Sequence, residues 1–310
     1  MRFLIAFLLL FSNVQGKGQV PVQILSSERL LLDNPAIANG CQMAFSFHKI
    51  RTNFTGNCLA VRRLSDNATQ NFGFINNYVD TNGIKAFVGS SSGVVPSFFN
   101  QITGGIHLLE NAGTGPTIVN NGIPVRENGL WALSFNGTTQ HLRLEGLDNI
   151  TFFSNIGYAG GVFVTRSNTL GSARRILHAG MTTSPFATRF LASYVGTNTI
   201  GVAGVRLNSE SLVNVSGGTN LNTQNVTSHI LDYANSDSYV FQNGSQVAFR
   251  NDIPTQGNTQ VQNLRVWVGQ NIFGGEYFSG TMQEILLWNV NIQNQLPRIH
   301  SNIIRRYKIP

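Results

Sequence analysis

Charge is in short supply in this chain. Only 11% of its 310 residues are charged, and Lys17, Lys49, Lys85 and Lys308 are its only lysines. The net charge of +7 therefore rests on arginine, in the scattered pairs Arg62/Arg63, Arg174/Arg175 and Arg305/Arg306. No longer basic block exists, which argues against nucleic acid as a partner and leaves weak attraction to acidic glycans or cell surfaces. Apolar runs are also short, and none reaches the ~20 residues that span a bilayer, so no membrane span is expected. No Pro-rich, Gly/Ser-rich or charged linker and no internal repeat divides the chain, which favours a single domain.

Cysteine is scarcer still. Cys41 and Cys58 suit an oxidising compartment and predict a disulfide, worth about 3 kcal/mol in the chain-entropy model; the other reading is two free, buried thiols. The six histidines, His48, His107, His141, His178, His229 and His300, form no H-x-x-x-H or Cys/His spacing, so no metal is expected. No P-loop or dinucleotide G-x-G-x-x-G follows a strand, so no cofactor is expected. "GSSSG", Gly89 to Gly93, matches the G-x-S-x-G pattern of a nucleophile elbow. Pro96 opposes the helix such an elbow needs, and the segment reads as a turn.

What is present begins with "MRFLIAFLLLFSNVQGKG", a basic start, an apolar run from Phe3 to Phe11 and then small or polar residues. This is the layout of a secretory signal peptide, and it predicts a secreted, extracellular protein. The expected organisation is a signal peptide at 1–16, an N-terminal segment at 17–33 and one domain at 34–310. Candidate N-glycosylation sequons begin at Asn53, Asn67, Asn136, Asn149, Asn214, Asn225 and Asn243.

From Cys58 onward, β-branched and aromatic runs alternate with Gly, Asn, Asp and Pro, as in "CLAVRRL", "GLWALSF", "GGVFVT", "TRFLASYV", "LRVWVGQ" and "QEILLWNV". The rhythm predicts an all-β, antiparallel two-sheet jelly-roll sandwich. In "SYVFQNGSQVAF", Asn243-Gly244 supplies the two positive-φ positions of a type I′ hairpin. Asp80 or Thr81 is placed to cap a short helix through "IKAFV" that Gly89 ends. Leu296, Ile299, Ile303, Ile304 and Tyr307 recur at helical spacing and predict a C-terminal amphipathic helix. "NGCQMAFSFHKI" is also read as helix.

For general acid/base work on a glycosidic bond, two carboxyl groups must flank it, and Asp232, Glu276 and Glu284 are the candidates near late strand ends. Trp131, Tyr158, Tyr194, Trp267 and Tyr277 are candidate aromatic platforms for a sugar ring, with core packing as their commoner fate. In "LAVRRLSDNATQNFGF", arginine beside aspartate and asparagine can fix a turn through multi-donor hydrogen bonds. Arg62, Arg63, Asp66, Asn67 and Asp80 are therefore assigned structural roles. One arginine of the pair is expected to be buried and bonded near Asp66.

The stretch "HKIRTNFTGNCLAVRRLSDNATQNFGFINNYVDTNGIKAFVG", His48 to Gly89, then "PTIV", "NGLWALSFNGTTQHL" and "MQEILLWNVNIQNQLPRIHSNIIRRYKI", resembles phage and secreted bacterial proteins related to the α-L-arabinofuranosidase B catalytic domain. The resemblance is collinear over nearly all of the chain beyond the signal peptide and implies a concanavalin A-like, laminin-G-like jelly roll. It also implies a nucleophile glutamate in a G-N-A-E context and an acid/base aspartate in a G-G-D-N context. The counterparts here, "HAGMTTS" (His178 to Ser184) and "VGQNIFGG" (Val268 to Gly275), hold no carboxylate. Asn100 stands where the family's Y-D-Q-S-G has aspartate. Asn100, Gln101, Gln270, Asn271, Glu276 and Tyr277, in segments matching the family's cleft, are the candidate ligand-binding residues for a glycan or cell-surface ligand. The reading that follows is a secreted, non-catalytic lectin-like or adhesion protein. Two alternatives stay open: an arabinofuranosidase-like hydrolase with Glu276 as leading catalytic candidate, and a structural virion or extracellular protein.

Overall fold

The computed structural model describes residues 30–144, 156–168, 174–181, 188–195, 198–204, 213–253 and 264–310. The expected signal peptide, most of the N-terminal segment and the Asn149 sequon lie outside the described residues. No described helix is long and apolar enough to cross a membrane.

The architecture is mostly β, with one large antiparallel sheet. Its hub is the long strand Ser279–Trp288. On one edge it pairs with Cys41–Ser46 and Leu133–Asn136, and on the other with Tyr158–Ser167. The sheet continues from there through Asn225–Asp232 and Asp237–Gln242 to Ser245–Arg250. A second run begins at Thr69–Phe72 and passes through Leu59–Arg63, Gly93–Phe98, Leu108–Leu109, Leu142–Leu144 and Leu264–Val268. It continues through Arg174–Met181, Thr188–Val195 and Thr199–Gly204 to Val213–Gly218. Thr117–Asn120 hydrogen-bonds to both runs, so they join into one continuous, barrel-like sheet rather than two separate ones.

Side chains alternate across a strand, and here both faces of the hub region are buried. Phe45, Phe163, Met282, Ile285 and Leu287 point into an inner core between the runs. Ala44, Val162, Val164, Leu286 and Trp288 point outward into a second core. The helix Leu296–Tyr307 covers that second core with Leu296, Ile299, Ile303 and Tyr307, as the helical spacing predicts. Leu31 and Leu32 also belong to it. Trp288 Nε1 donates to the Ile37 carbonyl at 2.7 Å, tying this layer to the start of the described chain.

Under the helix lies a buried ion pair. Glu284 accepts two hydrogen bonds from Arg306, at 2.8 and 2.9 Å, and one each from Ser46 Oγ at 2.5 Å and Tyr307 OH at 2.9 Å.

Several expectations hold: the Asn243-Gly244 hairpin has φ of 48° and 89°, and the helix Thr81–Val88 is capped by Asp80 and ended by Gly89 at φ 59°. Others are corrected. "CQMAFS" is a strand, because Met43, Phe45 and Phe47 enter the inner core while Cys41 and Ala44 face the outer one, a two-sided burial that mimics a helical pattern. The disulfide does not form. Cys41 and Cys58 are free thiols in different cores, bonded to the carbonyls of Met43 and Ser46, and burial raises both pKa values. Two sequons are unsuited to carrying a glycan. Asn225 is buried with its amide donating to the Asn220 and Thr223 carbonyls, and Asn243 donates inward to Asn225.

Removing one partner of a buried pair strands the other charge. Glu284→Gln is expected to lower unfolding free energy by about 3–5 kcal/mol in chemical denaturation, whereas Glu284→Leu with Arg306→Met loses much less. A single-variant loss below about 1 kcal/mol would show that the pair does not hold the helix.

Candidate functional site

The residues chosen from the family's cleft do not form one site. Asn100 and Gln101 are buried and fasten the Cys41–Ser46 strand. Asn100 Oδ1 accepts from the Ala44 and Ile102 amides, and its Nδ2 donates to the Gln42 and Ile106 carbonyls. Gln101 accepts from the Ile50 amide and donates to the Ser46 and His48 carbonyls. Gln101 is fully buried with its amide spent on backbone, which corrects its ligand-contact expectation; the Asn100 amide is bonded to backbone as well.

Gln270, Asn271, Glu276 and Tyr277 lie on the loop that links Leu264–Val268 to the hub strand. Gly274, Gly275 and Glu276 have φ of 88°, 73° and 47°, so the loop closes tightly on itself. Glu276 is paired with Arg175 at 2.7 Å and accepts from Asn271 Nδ2. His178 is buried beside it, accepting from the Ile272 amide at Nδ1 and facing Thr188 Oγ1 at 3.0 Å, which places the ring proton on Nε2. Trp267 is stacked on His141 at 4.8 Å, and Tyr277 is half-buried near the same histidine. Gln270 is buried with Oε1 unbonded. The other aromatic candidates, Trp131, Tyr158 and Tyr194, are core residues.

The remaining carboxylate candidates are also engaged by the fold. Asp232 accepts from Asn235 and from Asn291, and Glu284 holds Arg306. Among the described residues no three His, Cys, Asp or Glu side chains are grouped to hold a metal ion.

The arginine pair divides its work, since neighbours on a strand point to opposite faces. Arg63 bonds Asp66 at 2.6 and 3.0 Å and the Phe87 carbonyl at 2.6 Å, and its guanidinium lies 4.8 Å from the Phe87 ring centre. Arg63 and the Ala68 amide hold Asp66 down to about 2. Asn67 makes the turn at φ 58°. The more buried arginine is Arg62, with 18% of its side chain exposed against 30% for Arg63, and its acid is Glu110 rather than Asp66. The buried arginine is therefore not the one bonded to Asp66, and the pair engages two acids where the sequence suggested one.

A different cleft, of about 410 Å³, opens between the loop ahead of Cys58, the strand residue Asn71 and the loop after Phe98. Phe54 and Phe99 form its apolar walls, Asn57, Asn71 and His107 its polar ones, and Asn100 is also part of its lining. The loop carrying Phe54 is pinned where Asp33 accepts from the Thr52 amide and hydroxyl, at 2.9 and 2.5 Å. Phe54 meets Phe74 edge-on and lies over Gly56, where a Cβ would come within 2.6 Å of the ring. Phe99 meets the His107 ring edge-on at 4.9 Å. His107 Nδ1 accepts from the Asn100 amide at 3.2 Å, so the neutral ring carries its proton on Nε2, as a donor. Among the described residues no charged side chain lines the cleft. Aromatic faces beside planar amides suit a neutral ligand with an apolar face and several hydroxyls. A signal was legible in "RTNFTGNC": Phe54 is an aromatic in a turn-rich segment with no strand to bury it.

No protein-family model and no curated protein matches the chain. Solved structures do. A GH54 α-L-arabinofuranosidase soaked with a cyclic sulfate inhibitor superposes with a TM-score of 0.62 at 13% identity, over 86% of this chain and 63% of that one. An arabinofuranosidase complexed with arabinofuranosyl-α-1,2-xylobiose gives 0.62 and 13%, over 88% and 64%. The chain thus spans less than two thirds of the length of either enzyme. The likeness establishes the fold, in agreement with the resemblance read from the motifs.

Four imidazoles, those of buried His178, His229 and His300 and half-buried His48, are kept neutral. Burial, with Arg306 and Arg175 adding to it, lowers His48 and His178 to about 3, and burial lowers His229 and His300 to about 4. Below an unfolded value near 6.5 only the unfolded chain takes up these protons, so stability falls as pH drops from about 6.5 towards 4. The expected slope is up to about 1.4 kcal/mol per pH unit for each ring. Urea midpoints measured from pH 7 to 5 check this, and a flat profile contradicts neutral buried rings.

Proposed function

We propose that this is a secreted, non-catalytic saccharide-binding protein built on a concanavalin A-like jelly roll whose two layers are bridged by Thr117–Asn120. The observation that carries the reading is the cleft walled by Phe54, Phe99, Asn57 and Asn71, with no charged side chain among its described lining residues. A sugar places its C–H face on an aromatic ring and its hydroxyls against amides, which pair with donors and acceptors alike. The apolar leader at the start of the sequence supports export.

Loss of the family's chemistry supports binding without turnover. Segments 178–184 and 268–275 contain no carboxylate. The nearest acid, Glu276, is in an ion pair with Arg175. Hydrolysis needs one carboxyl group to protonate the leaving oxygen and a second group on the other side of the bond, and among the described residues these segments offer no such pair.

A glycan array probed with purified protein should show saccharide retention. Phe54→Ala and Asn71→Ala should each weaken it about tenfold or more, equivalent to ~1.4 kcal/mol. Release of arabinose or an aryl group from a synthetic arabinofuranoside, abolished by Glu276→Gln, would replace this reading with the hydrolase. An array blank for every sugar, together with multimers in solution, would replace it with a structural role.

A further inference from the structure

The described sequons divide by what their asparagines already do. Asn225 and Asn243 are turned inward, and Asn136 Oδ1 accepts from the Thr138, Thr139 and Gln140 amides at 3.0, 3.0 and 3.1 Å. Asn53, Asn67 and Asn214 are exposed. Of these three, Asn53 alone lines the cleft at Phe54.

Asn53, Phe54 and Thr55 form the sequon, and all three line that cleft. The turn that carries them is fixed on both sides of Asn53. Thr52 is held by Asp33, and the Phe54 amide donates to the Arg51 carbonyl at 3.3 Å. Asn53 and Thr55 are exposed, whereas Phe54 is half-buried with its ring over Gly56 and against Phe74. The asparagine and threonine are therefore open to a modifying enzyme, while the aromatic between them stays part of the wall.

We infer that Asn53 carries an N-linked glycan whose stem sugars occupy the cleft and close it to free saccharide, an inference that rests on the saccharide reading of that cleft. Modification joins Asn53 Nδ2 to C1 of an oligosaccharide carried on a polyisoprenyl diphosphate. The C1–O bond to the diphosphate breaks, the N–C1 bond forms and the amide nitrogen gives up one proton. The neutral stem sugars meet no charge among the described lining residues and have Phe54 and Phe99 to pack on. A short tether holds a ligand at an effective concentration of roughly millimolar. A free saccharide of equal affinity would have to exceed that concentration to displace it.

The test uses the full chain, leader included, expressed for secretion in a eukaryotic cell as wild type, Thr55→Ser and Thr55→Ala. Serine completes a sequon as threonine does, so peptide mass spectrometry should find a glycan on Asn53 in the first two and none in the third. An unmodified Asn53 in the wild type, whether or not the chain is exported, overturns the inference.

Occlusion is read apart from any saccharide. Asn71→Cys places a thiol in the exposed wall of the cleft, whereas Cys41 and Cys58 are buried. With the glycan, maleimide labelling of that thiol should slow about fivefold or more, the factor for a stem that leaves the cleft open about a fifth of the time. Equal rates overturn the inference. On a glycan array, Thr55→Ala should retain saccharides that the glycosylated wild type does not. Equal retention by both overturns the capping and leaves the cleft standing as a saccharide site. Retention by neither, with labelling slowed, upholds the capping and overturns the saccharide reading.

Discussion

The Glu284 carboxylate under the C-terminal helix is the contact on which the rest of the molecule depends. Strand Ser279–Trp288 joins three other strands, and Glu284 is the one charged group its buried residues present to the helix above. By accepting from Arg306, Tyr307 and Ser46 together, it fixes helix, hub strand and Cys41–Ser46 strand in one register. Charges are costly to bury, so the arrangement persists only because every oxygen is answered. The apolar contacts of Ile299, Ile303 and Trp288 supply bulk attraction, which is non-directional; the ion pair supplies position.

Much of the fold could be read from residue order, because local rules and tertiary packing agree over most of it. The Asn243-Gly244 hairpin, the Asp80 cap and the helical spacing of Leu296 to Tyr307 each follow from chemistry within a few residues. The misreadings share a cause. Strand Cys41–Ser46 is buried on both faces, and two-sided burial erases the polar alternation that marks a strand. The disulfide expectation failed because spacing along the chain does not say which core a thiol enters. Arg62 finding Glu110 was likewise invisible, since the partners meet only after Gly93–Phe98 and Leu108–Leu109 pair.

The candidate cleft was harder to read than the structural contacts for the same reason. Asn100 and Gln101 sit in a segment that matches the family's motif, and their chemistry goes to the backbone of a neighbouring strand. Phe54, Asn71 and Phe99 come from three separate segments that only the folded sheet brings together. A motif that persists across proteins can mark a joint of the fold as readily as a ligand contact, and here the arginine pair and Gln101 do the former. Fold similarity to arabinofuranosidases therefore carries the scaffold across and leaves the chemistry to be judged from the side chains present.

The position of the hub strand in the sequence has a kinetic meaning. Its partners begin at Cys41, Leu133 and Tyr158, so every pairing it makes closes a long loop, and it follows all the strands it unites. Folding rates fall as contacts become more distant in sequence, because loop-closure entropy must be met before those contacts form. The preceding strands can form hairpins during synthesis, but none can complete the sheet. Until Ser279–Trp288 emerges, the chain presents unpaired strand edges and exposed apolar surface. It is in that interval, rather than in the finished fold, that aggregation competes most strongly.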